Sequence, residues 1–211
     1  MNKEELIQML FALEEQEKIN TVWEPNSILF YGPDTRVVSF NQDVNAQSAT
    51  SLISQLYHLN HLDTEDTIGI HLNTPGGNLT DALAIYDCIT QLPNPVIVQT
   101  TGLCASAGLI ILSAADYRIA TPNCSFFYHE PVVDGSAITS SSEMNEFASH
   151  YANSKALADK LIQKKTKIKK SIWNKDFEGK TSYWFDSQKA LEYNIIDKIS
   201  ESDKINFKIK T

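Results

Sequence analysis

The 211 residues, 42% of them apolar, are enough for one domain with a sizeable core. A formal net charge of −8 speaks against nucleic acid as the main partner. The apolar runs are too short to span a bilayer. Cys88, Cys104 and Cys124 form neither a metal-binding spacing nor an even disulfide framework, so a reduced, cytoplasmic setting without membrane contact is expected.

The opening Met1-Asn2-Lys3-Glu4-Glu5 is acidic and has no signal-peptide apolar core. Leu6, Met9, Leu10 and Leu13 recur at helical spacing, which predicts an amphipathic helix over 3–16. A break follows at Pro25-Asn26-Ser27. It leaves residues 1–27 as a lead-in, 28–200 as the main domain and 201–211 as a tail. Ile28-Leu29-Phe30-Tyr31 reads as a buried strand, Arg36-Val37-Val38 as a second, and 46–60 as a helix.

Ile68, Ile70 and Leu72 alternate along a strand that runs into Asn73-Thr74-Pro75-Gly76-Gly77. Leu79, Ala82, Ile85, Tyr86 and Ile89 mark the next helix, stopped at Pro93-Asn94-Pro95. Strand Val96–Thr100, a small-residue turn, a helix to about Ala115, strand Arg118–Ala120 and strand Ser125–His129 follow. Strands and helices therefore alternate, the pattern of βαβ units and an α/β fold. Residues 131–142 read as a loop, and Ser140-x-x-Glu143 as a capping box opening a long helix with a basic end. A short helix, a turn at Asn194 and a strand containing Ile195-Ile196 close the domain.

Three stretches carry chemistry. Gly102-Leu103-Cys104-Ala105-Ser106-Ala107-Gly108 places a serine between an apolar strand and an apolar helix. Backbone N–H groups there lack helical partners and favour negative charge, which suits a nucleophilic oxygen and the oxyanion its attack creates. By itself the stretch also fits a plain turn that lets a helix pack on a sheet. Pro75-Gly76-Gly77 offers backbone N–H groups at close approach, and one of them can complete an oxyanion hole with the N–H of Ala107. His129 ends a strand with Phe126-Phe127-Tyr128, where a histidine can act as general base to a serine. His71, inside an Ile-rich strand, reads as structural, and His58 and His61 lack the partners of a metal site. No metal or cofactor is expected.

Taken together, Asn73–Gly77, Ala84-Ile85-Tyr86-Asp87, Gly102–Gly108, Pro122-Asn123, Tyr128-His129-Glu130-Pro131 and Ala190–Asp197 resemble the ClpP peptidase family in order and approximate spacing over residues 28–199. The resemblance implies a crotonase-like α/β fold of stacked βαβ units with a protruding handle helix, here about 142–164. It implies a homo-oligomer of two stacked seven-membered rings around a chamber. Peptide or unfolded protein is the implied substrate, delivered by an AAA+ unfoldase. It puts the nucleophile at Ser106, the general base at His129 and the oxyanion donors at the N–H groups of Gly77 and Ala107.

The third triad position departs from the family pattern. Alignment back from Asp197 puts Ser182 where the family has an aspartate, and alignment forward from Thr166 and Trp173 meets an acid at Asp176. Either is a candidate to orient His129. The acidic N-terminal segment also replaces the family's short apolar opening, which argues against docking of a standard Clp unfoldase. The expected activity is that of a serine endopeptidase. The alternative is a catalytically inactive ring subunit, since the triad aspartate is missing. A crotonase-type acyl-CoA enzyme would share the fold but needs neither Ser106 nor His129.

Overall fold

The structure is a computed structural model, described for residues 36–130, 140–178 and 182–200. All but Ser200 lie within one compact unit, Leu29–Ile199. The helix expected at 3–16, the strand at 28–31, most of the 131–142 loop and the 201–211 tail lie outside the described residues.

In chain order the elements are β1 (Val37–Asn41), α1 (Ala46–Leu62), β2 (Ile68–Thr74), α2 (Leu79–Gln91), β3 (Val96–Ala105), α3 (Ala107–Ala114), β4 (Tyr117–Ala120), β5 (Ser125–His129), α4 (Ser141–Thr166), α5 (Lys170–Asp176), β6 (Ser182–Asp186), α6 (Ser187–Glu192) and β7 (Lys198–Ile199). Parallel strands run in the order β1-β2-β3-β4-β7. The alternating strands and helices of the sequence thus become the parallel sheet that βαβ units build.

Local chemistry sets the boundaries. Asn45 accepts hydrogen bonds from the N–H groups of Gln47 and Ser48, and the Ser48 hydroxyl accepts from the Asn45 N–H. Asn78 caps α2 through the Asp81 N–H. The Ser140/Glu143 capping box forms at the start of α4 as its sequence requires. Lys167, in the left-handed region at φ 55°, ends α4 and separates it from α5.

Strand β3 differs from the sequence reading and matters most. It continues five residues past Thr100, through Gly102 at φ 63°, to Ala105. Up to Thr100 it pairs with β2 and β4, and from Leu103 it pairs with β5. Asn73 holds the bend: its Oδ1 accepts from the Leu103 N–H and its amide donates to Asn41. Past the bend Cys104 still pairs with Thr74 of β2, while the other edge of β3 passes from β4 to β5, which pairs antiparallel with β6.

Strand β6 and helix α5 are not apparent from the sequence pattern. Ser182–Asp186 alternates weakly, and its register is set only by pairing with β5. The inner face of this ribbon, Phe126, Tyr128, Tyr183 and Phe185, packs on Trp173, Phe177 and Tyr193 of α5 and the segments after α5 and α6. Ile195 and Ile196 are fully buried but lie in a turn, and the strand forms at Lys198–Ile199 instead.

The last turn is tied to the sheet by charge. Arg118 donates through Nε and Nη2 to both oxygens of Asp197, and its backbone N–H donates to Oδ2. Arg118 is 6% exposed, and its Nη1 has no partner among the described residues. Removing the carboxylate strands a buried guanidinium. Asp197→Ala is expected to lower stability by about 3 kcal/mol in urea denaturation.

Candidate active site

Ser106 occupies the corner between β3 and α3 with φ 53° and ψ −119°, a conformation side-chain-bearing residues seldom adopt. Such a corner costs about 1–3 kcal/mol and persists only where the surroundings enforce it. Here they do. The Ser106 N–H donates to the Phe127 carbonyl at 2.7 Å, and the Ser106 carbonyl accepts from Leu109. Helix α3 is buried along its whole length, Ala107 to Ala114, and cannot shift to relieve the strain. The result is a strand–turn–helix elbow that presents a serine hydroxyl.

The β3–β5 register brings a histidine to it. Ala105 lies opposite Phe127, so the residues just beyond, Ser106 and His129, converge. His129 Nε2 stands 2.7 Å from Ser106 Oγ. That is the distance at which a hydroxyl can pass its proton to an imidazole.

The glycine turn forms the opposite wall. The Val44 N–H donates to the Gly76 carbonyl and the Asn78 N–H to the Val44 carbonyl, each at 2.8 Å. In this parallel bridge the N–H of Gly77 points away from Val44. Neither it nor the N–H of Ala107 has an acceptor among the described residues. Both line one cleft with Ser106 and His129. Gly76, at φ 91°, lies against the elbow itself: a Cβ there would stand 2.6 Å from the Ala105 carbonyl oxygen and 2.7 Å from Ser106 Cβ. Gly76→Ala is therefore expected to displace the serine and its neighbouring donor. A rate loss of about a hundredfold or more in peptide hydrolysis would check it, the size typical of one lost oxyanion donor.

The cleft encloses about 410 Å³. Leu79, Ile110, Ala158 and Ile162 supply apolar walls, while Tyr128, Lys155 and Asp159 supply a polar corner. There the Tyr128 hydroxyl donates to Asp159 Oδ1 at 2.8 Å and Lys155 Nζ to Oδ2 at 2.7 Å. The sequence did not single out this pair, because Lys155 and Asp159 read as an ordinary i,i+4 pair on a solvated helix face.

The two candidates for the third position part company. Asp176, at the end of α5, accepts from the Tyr193 hydroxyl at 2.6 Å, and no hydrogen bond joins it to His129 among the described residues. Burial, then the Asp176 carboxylate, push the Tyr193 phenol up. Ser182 lies directly across the ladder from His129. Opposed residues of an antiparallel pair project to the same face. No hydrogen bond joins these two side chains either. His71, half-buried in β2, meets the Thr101 hydroxyl at 2.9 Å, and burial pushes its imidazole down. Among the described residues no three His, Cys, Asp or Glu side chains converge as a metal site, and no helix is long and apolar enough to cross a membrane.

Comparison with known proteins points one way. A family model described as Clp protease matches residues 27–203. The chain is similar to an ATP-dependent Clp protease proteolytic subunit of Streptococcus sanguinis, 29% identical over 81% of this chain and 87% of the relative. It is 31% identical to proteolytic subunit 1 of Streptomyces avermitilis over 79% of this chain and 76% of that one. It is 33% identical to proteolytic subunit 2 of Cutibacterium acnes over 78% and 76%.

Proposed function

Because the chain belongs to the Clp protease family, we propose that it is a serine endopeptidase working through an acyl-enzyme on Ser106. The observation that carries the reading is the 2.7 Å contact between Ser106 Oγ and His129 Nε2 at a strained elbow. As Oγ attacks the scissile carbonyl carbon, Nε2 takes its proton. The carbonyl oxygen becomes an oxyanion facing the N–H groups of Gly77 and Ala107 and the N-terminus of α3. The imidazolium returns the proton to the leaving amine, the C–N bond breaks, and an ester to Ser106 remains. Water then gives a proton to His129 and its oxygen to the acyl carbon, and Oγ leaves with that proton.

The substrate is a peptide or an unfolded protein. The apolar cleft beside Ser106 suits one aliphatic or aromatic side chain next to the scissile bond. Assembly into a homo-oligomeric ring, with α4 as the handle, is supported by α4 itself. Its first turns, Ser142–His150, are exposed apart from a half-buried Phe147, and Met144 and Leu157 are 49% and 44% exposed. A helix showing apolar side chains to water favours a partner surface. An AAA+ unfoldase, as the names of the relatives' ATP-dependent proteases suggest, is the proposed source of unfolded substrate. The three buried, unbridged cysteines fit a reducing, cytoplasmic setting.

Treatment with a fluorophosphonate probe tests this. One adduct, mapped by peptide mass to Ser106, is expected. No adduct on the folded, assembled protein would favour the inactive ring subunit.

A further inference from the structure

His129 uses Nε2 toward Ser106, and its other ring nitrogen has no hydrogen bond to any described residue. Its ring is nevertheless held. Phe127, two residues back on the same face of β5, stacks on it with centroids 5.1 Å apart and planes within 10°. Trp184, directly opposite Phe127 on β6, stacks on Phe127 at 4.2 Å and 23°. Trp184 is 60% exposed, a poor position for a tryptophan unless its ring face is used.

We propose that Phe127, backed by Trp184, is the positioning group of His129. It fixes the imidazole plane toward Ser106 and presents its ring face to the imidazolium formed during attack, where a triad carboxylate would otherwise act. This rests on the assignment of Ser106 as nucleophile and His129 as base. The physical basis is twofold. The χ2 torsion of a histidine is broad, so an unbraced imidazole samples many planes, and a parallel aromatic neighbour narrows them. A cation within about 6 Å of a ring face is attracted by the ring quadrupole, so the stack favours the charged intermediate over the neutral base. The inner ribbon face cannot do this, because Tyr128 and Tyr183 point into the aromatic core.

The test measures fluorophosphonate inactivation of the full chain, with the maximal rate of adduct formation separated from probe affinity. Phe127→Leu is expected to slow adduct formation about tenfold with probe affinity unchanged. Phe127→Tyr, which keeps the ring face, is expected to recover most of that loss. A Leu variant as fast as wild type, or a Tyr variant as slow as Leu, overturns the proposal. Should Phe127→Leu fail to fold, Trp184→Leu at the exposed end of the stack decides: a loss of about threefold supports it and an unchanged rate overturns it. A wild type that takes no adduct removes the serine–histidine assignment and this inference together. A labelled wild type with indifferent variants removes this inference alone.

Discussion

Ser106→Ala is expected to reduce peptide hydrolysis by about 10⁴–10⁵ while leaving the fold intact. The size follows from the loss of the atom that forms the acyl-enzyme. The residual rate comes from the oxyanion donors and substrate binding, about 10³ over water. The harmlessness to the fold follows from what Oγ does not do. It makes no capping bond to α3, and its hydrogen bond is to His129. Alanine keeps the Cβ, so the strain at φ 53° is neither relieved nor increased. The elbow stays anchored through the backbone bond from Ser106 to Phe127. A fluorogenic peptide assay beside a thermal melt reads both quantities. An unchanged melt with more than about 1% residual activity would mean that another group is the nucleophile.

The second large effect is a gain. Ser182→Asp is expected to raise the hydrolysis rate by about 10–10²-fold. Ser182 faces His129 across the ladder, and opposed Cβ atoms stand about 4.5–5.5 Å apart. A serine hydroxyl is short for that span, and no bond forms. An aspartate places its oxygens one bond further out, toward the imidazole nitrogen that has no hydrogen bond to a described residue. A carboxylate there selects the tautomer with the acceptor nitrogen toward Ser106 and stabilises the imidazolium; losing such a group in a complete triad costs about 10⁴. The gain is smaller because the aromatic stack already constrains the ring. Ser182 is exposed at the start of β6, so the new charge is not forced into the core. A rate equal to or below wild type, in a variant with an unchanged melt, would show that the group orienting His129 lies elsewhere.

Ser106 and His129 were legible as a candidate pair because each sits in a short local pattern. Ser106 lies between an apolar strand and an apolar helix, and His129 ends a strand before Glu130-Pro131. The glycines were legible for the same reason, since a Gly-Gly turn after a strand announces close backbone approach, and the positive φ of Gly76 and Gly77 bears that out. The surroundings of His129 were not legible. The contacts of Ser182 and Trp184 with this site depend on the antiparallel register of β5 and β6, which pairs segments more than fifty residues apart along the chain. A one-residue slip would turn Ser182 and Trp184 to the other face. Asp176 carries the right chemistry by type, but the end of α5 delivers it to Tyr193.

The alternation of strands and helices, the capping box that opens α4 and the turn that carries Ser106 were written locally, because each follows from periodicity, capping chemistry or backbone sterics within a few residues. That the edge of β3 facing β4 passes to β5 beyond Gly102, that Ser106 and His129 meet at 2.7 Å, and that Phe127 stacks on the histidine ring are outcomes of the packed fold alone. Those outcomes depend on registers between distant segments, which the packing of whole strands selects and no local pattern encodes.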